Sequence, residues 1–331
     1  MGGLTNQQTA APLVLLYDDL FLGHREPGHP ESPERLLAIT ASLRGESRLA
    51  QVRWATAPLA DEDDILLVHS PRHLARIQGL AAKGGGWIDG DTYCRGDSYQ
   101  VALGAVGTSL AAVGTAINSS ASAAFALVRP PGHHATPDLA MGFCLFNNMA
   151  IAVRHAQKRH GVERLAVIDI DVHHGNGTQD VFYDDGDVLY CSLHQWPLYP
   201  GTGAADERGA GAGIDATLNL PLPPGTGPTG WLAALSRQVI PALRRHRAQL
   251  VLVSAGFDAL AGDPLAQLRL NPQSYGTAAR LIREVAAELG AGPTVWLLEG
   301  GYDLIQMPEA VRRCALELAA IASSPEDESG A

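Results

Sequence analysis

Short apolar, β-branched runs recur along nearly the whole chain, separated by longer stretches whose apolar positions have helical spacing. This alternation predicts a mainly parallel sheet flanked by helices on both faces. The expected strands are LVLLY at 13–17, AFALV at 124–128, LAVIDI at 165–170, VLYCSL at 188–193, LVLVSA at 250–255 and TVWLLE at 294–299. Helices are expected near 33–44, 72–82, 98–117, 147–160, 229–246, 273–289 and 307–322. No internal repeat or low-complexity linker divides the pattern. One α/β domain is therefore expected over 13–322, with an N-terminal extension at 1–12 and an acidic tail at 323–331. Two glycine-rich segments break the alternation, at 84–98 and 195–217, and such loops in a compact α/β domain are expected to be functional rims.

At 331 residues and 46 % hydrophobic, the chain has ample material for a core. No basic segment precedes the short apolar run Leu13 to Leu16, so the start does not read as a signal peptide. No stretch is expected to reach the roughly 20 apolar residues of a membrane helix. Cys94, Cys144, Cys191 and Cys314 are scattered with no CxxC pair, which argues against a disulfide framework or thiolate zinc site and for a cytoplasmic location. The net charge of −11, with Lys83 and Lys158 the only lysines, works against nucleic acid and anionic membranes and suits a cationic substrate.

The chemistry gathers at strand ends. In DIDVHHGNGTQD, from 169 to 180, strand alternation places Asp169, Asp171 and His173 on one face if the extended conformation persists past Ile170. RPPGHHA holds the adjacent imidazoles His133 and His134, suited to proton transfer near neutral pH. Asp258 follows LVLVSAGF, again where ligands bind in doubly wound sheets. Asp171, His173 and Asp258 make an oxygen, nitrogen, oxygen ligand set with one position left open, as in catalytic zinc sites. Such a set also tolerates Fe²⁺. In LLEGGYDL, a turn presents Tyr302, whose hydroxyl can stabilise an oxyanion.

These clusters, together with GHPESPERL at 28–36, HSPRHL at 69–74 and SAGFDALAGDP at 254–264, resemble the histone deacetylase superfamily over most of the chain. The resemblance implies a single-domain arginase/deacetylase-like α/β fold and hydrolysis of acetyl amides with one zinc ion bound by Asp171, His173 and Asp258. It implies that His134 is the general base and His133 its electrostatic or acid partner, with Asp169 orienting His133, Asn176 beside His134 and Tyr302 polarising the substrate carbonyl. Asn176 resembles the class II branch and its bacterial relatives. Gly142, Phe143 and Tyr199 match the floor and walls of an acyl-lysine tunnel, with Tyr199 standing where phenylalanine is usual. A structural K⁺ is implied at Asp169, Asp171, His173, Ser192 and Leu193.

The expected substrate is acyl-lysine in a peptide or protein, or a small acylated amine. In the eukaryotic polyamine deacetylase an acidic gatekeeper follows the GDP of the third motif. Here that residue is Leu265, which weighs against an acetylpolyamine amidohydrolase as the alternative; Asp89, Asp91 and Asp97 on the 84–98 loop are candidates to supply the same negative charge, with Asp97 the candidate contact to substrate backbone or amine. An arginase-like ureohydrolase would need a further carboxylate where Leu260 stands, and a non-catalytic acetyl-lysine binder would not need the complete set of His133, His134 and Tyr302. The oligomeric state is left open by the sequence.

Overall fold

The structure, a computed structural model, describes residues 12–119 and 121–320. Ten strands occur among them: β1 Leu13–Leu16, β2 Arg53–Ala55, β3 Gly85–Trp87, β4 Tyr93–Arg95, β5 Ala123–Ala126, β6 Leu165–Asp169, β7 Val188–Gln195, β8 Thr217–Leu222, β9 Leu250–Ala255 and β10 Thr294–Leu298. Eight form one sheet in the order β2-β1-β5-β10-β9-β6-β7-β8, with every neighbouring pair parallel. The expected α/β fold with a parallel central sheet is therefore present. The extension and tail at 1–12 and 323–331 lie outside the described residues, apart from Pro12.

The six expected strands are the six inner strands. Their continuous burial follows from helices covering the sheet, which leaves no polar face to alternate with. Helices Pro33–Arg44 and Pro272–Glu288 each pack on Gln306–Ala319, while Ser98–Asn118 packs on Asn148–His160 and against β1, β5 and β10. Helix Ser98–Asn118 corrects one expectation, since by length and composition it is apolar enough to cross a membrane. Its apolarity is used inside the fold. Gly107 lies so close to the backbone of Pro58 and Ala60 that a Cβ would collide with both, and Val101, Ala105, Val106, Ala112 and Val113 are fully buried.

Strand order explains why the chemistry converges. β5, β10, β9 and β6 are adjacent, and the segments leaving their C-terminal ends carry His133 and His134, Tyr302, Asp258, and Asp169 to His173 respectively. The chain passes from β5 to β6 across positions later filled by β10 and β9, which opens a crevice at those ends.

Candidate active site and metal centre

β6 ends at Asp169, so Asp171 and His173 are not on an extended strand as expected. A tight turn brings them together instead. The N–H of Asp171 donates to Asp169 Oδ1 at 3.2 Å, and that of His173 donates to Asp171 Oδ1 at 2.9 Å, so the carboxylates themselves satisfy the turn's backbone donors. The geometry separates the two aspartates: Asp169 reaches His133, whereas Asp171 faces His173 and Asp258.

Asp171, His173 and Asp258 are buried and present three ligand atoms within 4.8 Å of one another. His173 Nδ1 stands 3.2 Å from both Asp171 Oδ1 and Asp258 Oδ2. Asp258 Oδ1 accepts from the N–H of Val172 at 2.8 Å, while Oδ2 is buried without a hydrogen-bond partner. A carboxylate oxygen left this way at the centre of the cluster fits a cation ligand. Backbone crowding serves the same centre, because a Cβ on Gly256 would collide with the carboxylate of Asp171, and one on Gly300 with that of Asp258. These residues fit a divalent metal ion.

The two adjacent histidines are held differently. His133 Nδ1 donates to Asp169 Oδ2 at 3.1 Å; the hydroxyl of Tyr190 donates to the same oxygen at 3.1 Å. Burial alone lowers the His133 pKa, but the Asp171 and Asp169 carboxylates outweigh it and push it up to about 10. His134 Nδ1 lies 2.8 Å from Asn176 Oδ1, and the Asn176 amide is oriented by a bond from Nδ2 to the His134 carbonyl. Because Oδ1 only accepts, Nδ1 carries the proton and Nε2 is left as the acceptor. Burial, then the neighbouring His133 and His173, hold His134 well below the usual imidazole range. One imidazole is thus kept charged and the other neutral.

Each residue of the EGGY turn is tied to a different part of the fold. Glu299 Oε2 accepts from the N–H of Gly132 at 2.7 Å and of His133 at 3.2 Å. The N–H of Gly300 donates to Asp171 Oδ2 at 2.9 Å. Arg35 donates to the carbonyls of Gly301 at 2.6 Å and Glu299 at 2.5 Å, and its guanidinium lies 5.0 Å from the Tyr302 ring centroid. The N–H of Tyr302 donates to Asp263 Oδ2 at 2.7 Å. Burial raises the Tyr302 hydroxyl well above its ordinary value, so it is a neutral donor. Arg35 is in turn held by Glu31 at 3.0 Å, and Glu31 also pairs with Arg129 of the RPPGHHA motif.

A cavity of about 200 Å³ opens over these groups, lined by His133, His134, His173 and Tyr302 at its polar end. Gly142, Phe143, Tyr199 and Leu265 line it as well, so four of the five expected substrate contacts surround one space. Phe143 at φ 70° and Gly142 at φ 55° make a left-handed turn, and a Cβ on Gly142 would collide with the His134 ring. Asp97 is not in the lining. It is exposed at the start of helix Ser98–Asn118, because segment 84–98 folds into the β3–β4 hairpin and leaves for the helix by that point; Asp91, in the hairpin turn, lines the cavity instead. His29 fixes that turn, with Nε2 2.9 Å from the Asp91 carbonyl and its ring edge-on to Phe143. Of the expected K⁺ residues, Asp169 is registered against Ser192 across β6 and β7, Leu193 follows it on β7, and Asp171 and His173 face the metal cluster.

Glu31, Arg35, Arg129, Asp263 and Glu299 carry the site's support and were not singled out from sequence. Their signal was a further charged residue inside the same motifs: Glu31 and Arg35 in GHPESPERL, Arg129 in RPPGHHA, Asp263 in SAGFDALAGDP and Glu299 in EGGY.

Comparison with known proteins places the chain. The histone deacetylase domain matches residues 29–318. Over 301 residues the chain is 40 % identical to a histone deacetylase-like amidohydrolase of Pseudomonas aeruginosa, covering 91 % of this chain and 79 % of that protein. It is 36 % identical over 295 residues to the polyamine deacetylase HDAC10 of Homo sapiens, covering 85 % of this chain and 43 % of that one. The crystal structure of the HDA15 HD domain superposes with a TM-score of 0.87 at 33 % identity, over 94 % of this chain and 90 % of that chain.

Proposed function

The chain belongs to the histone deacetylase family, and we propose that it is a zinc-dependent amidohydrolase removing acetyl or other short acyl groups from acyl-lysine in peptides or proteins. One observation carries this reading. A charged and a neutral imidazole, a neutral tyrosine hydroxyl and His173 of the metal-fitting triad all line one small cavity walled by Phe143 and Tyr199, with Asp171 and Asp258 buried behind His173. Asp171, His173 and Asp258 would hold the ion. A divalent cation there supplies Lewis acidity toward a carbonyl oxygen and makes water more acidic.

The remaining work falls to the chain's own groups. Phe143, Tyr199 and Leu265 enclose the apolar stem of the acylated amine and exclude water. His134 Nε2, free of a proton at neutral pH, takes one from the attacking water. The Tyr302 hydroxyl donates to the carbonyl oxygen as negative charge grows on it. His133 keeps positive charge beside the reacting centre through its bond to Asp169. A proton then passes from an imidazole to the departing amine, and acetate and free amine result.

Asp169 with Ser192 and Leu193 is the proposed K⁺ position, and the four free, buried cysteines suit a reducing cytoplasm. A second reading, an acetylpolyamine amidohydrolase, is favoured by the Asp91 carboxylate at the cavity, which suits a second ammonium; Leu265 at the gate weighs against it. Chelation followed by Zn²⁺ addition tests the metal requirement: acetate release from an acetyl-lysine peptide should vanish and return with one equivalent. Full activity after complete metal removal would overturn it.

A further inference from the structure

Asp263 lies outside the groups that touch substrate or metal, yet both of its carboxylate oxygens are committed at the cavity rim. Oδ2 accepts from the N–H of Tyr302 at 2.7 Å, and Oδ1 accepts from the N–H of Leu265 at 2.9 Å. The side chain is buried, and its own N–H donates to the Leu260 carbonyl at 3.1 Å, which fixes the turn that carries it. The two segments it joins are packed tightly: a Cβ on Gly262 would collide with the Asp303 carboxylate, and Asp303 accepts from the Gln306 side chain at 2.9 Å. One carboxylate therefore spans the gate residue from the third motif and the oxyanion donor from the fourth, two segments that meet only in the folded protein.

We propose that Asp263 is a positioning residue that sets Tyr302 and Leu265 as a unit, so that the hydroxyl's place at the carbonyl and the width of the gate are fixed together. This rests on the amidohydrolase reading above. A carboxylate is suited to the task because two oxygens can accept from two backbone donors at once. An amide has one acceptor oxygen, so Asp263→Asn must turn an NH₂ toward one of the two N–H groups.

The test is a double-mutant cycle with two readouts. Asp263→Asn should lower kcat on an acetyl-lysine peptide by ~10- to 100-fold, the scale of a small misplacement of a catalytic group, with zinc content unchanged. In the Tyr302→Phe background the same substitution should change kcat by less than about twofold, because its effect passes through the hydroxyl. Binding of an alkyl hydroxamate, whose carbonyl occupies the place of the acyl carbonyl, is measured by calorimetry on the same four zinc-loaded proteins. Asp263→Asn should weaken it in the Tyr302 background and weaken it less with Tyr302→Phe, where only the effect through the Leu265 gate remains. This binding arm needs no turnover, so a wild type that hydrolyses neither peptide nor polyamine would refute the activity without deciding the role of Asp263. If Asp263→Asn does not fold, Asp263→Ser, smaller and with a single acceptor oxygen, runs the same cycle. Losses that add fully in kcat and in binding, or no loss from either substitution, would overturn the proposal.

Discussion

Glu299 Oε2 accepts the backbone N–H of His133 at 3.2 Å, so the turn that presents Tyr302 also holds the first imidazole of the adjacent pair. Its other oxygen, Oε1, is buried without a partner, and burial pushes the carboxyl up to about 7. Glu299→Ala strands the donors of Gly132 and His133 and should cost about 1–3 kcal/mol for each unmade bond. Glu299→Gln keeps a carbonyl oxygen for both donors. Thermal melting and kcat should both fall for the alanine variant and change much less for glutamine; equal losses would show that the carboxylate's charge, not its acceptor geometry, is what the site needs.

Tyr302 tests the oxyanion role. Tyr302→Phe should lower kcat by about 10²- to 10³-fold, the range for loss of one oxyanion donor, with KM and melting temperature little changed because the hydroxyl has no hydrogen-bond partner of its own among the described residues. Near-normal turnover in steady-state kinetics would remove Tyr302 from the mechanism.

Asp169 and Asp171 stand two residues apart and should fail in different ways. Asp171→Ala removes one of three ligand atoms and should abolish zinc in the purified protein, read by elemental analysis. Asp169→Ala leaves the triad complete and removes the partner of His133, so zinc should stay near one per chain while kcat drops. Loss of metal from both variants would contradict this division.

That division was only partly legible in the sequence. The ligand set could be read from strand ends, but extended geometry past Ile170 was the wrong device; the residues meet through a turn whose donors the aspartates satisfy. Edge strands β2 and β8 were missed because β2 is three residues long and β8 carries Pro221 at the end of a glycine-rich run, so neither shows a buried strand's apolar signature. Asp97 was preferred to Asp91 because GGGWIDGDTYCRGDS reads as one loop, and only the hairpin formed by the three-residue strands β3 and β4 shows which acid reaches the cavity. Glu31, Arg35 and Asp263 act across distances along the chain that no local pattern encodes.

Buried neutral histidines set the acid limit of stability. Burial lowers His24, His69 and His174 to about 3 and His194 to about 4, below the 6.5 of an unfolded chain. Between those values the unfolded chain binds protons that the native protein does not. Their contribution is therefore complete above pH 6.5 and is lost as pH falls toward 4 and 3, at no more than about 1.4 kcal/mol per pH unit for each histidine. Melting temperature should fall steeply between pH 6 and 4. A flat profile across that interval would contradict the neutral assignment.

The central claim is tested most directly by acetate release from the purified, zinc-loaded protein, comparing an acetyl-lysine peptide with acetylspermidine and acetylputrescine at matched concentrations. Leu265 at the gate and the apolar walls of Phe143 and Tyr199 predict release from all three, with kcat/KM highest for the peptide. A large preference for the polyamines would contradict the substrate assignment, and no acetate from any of them would contradict the activity itself.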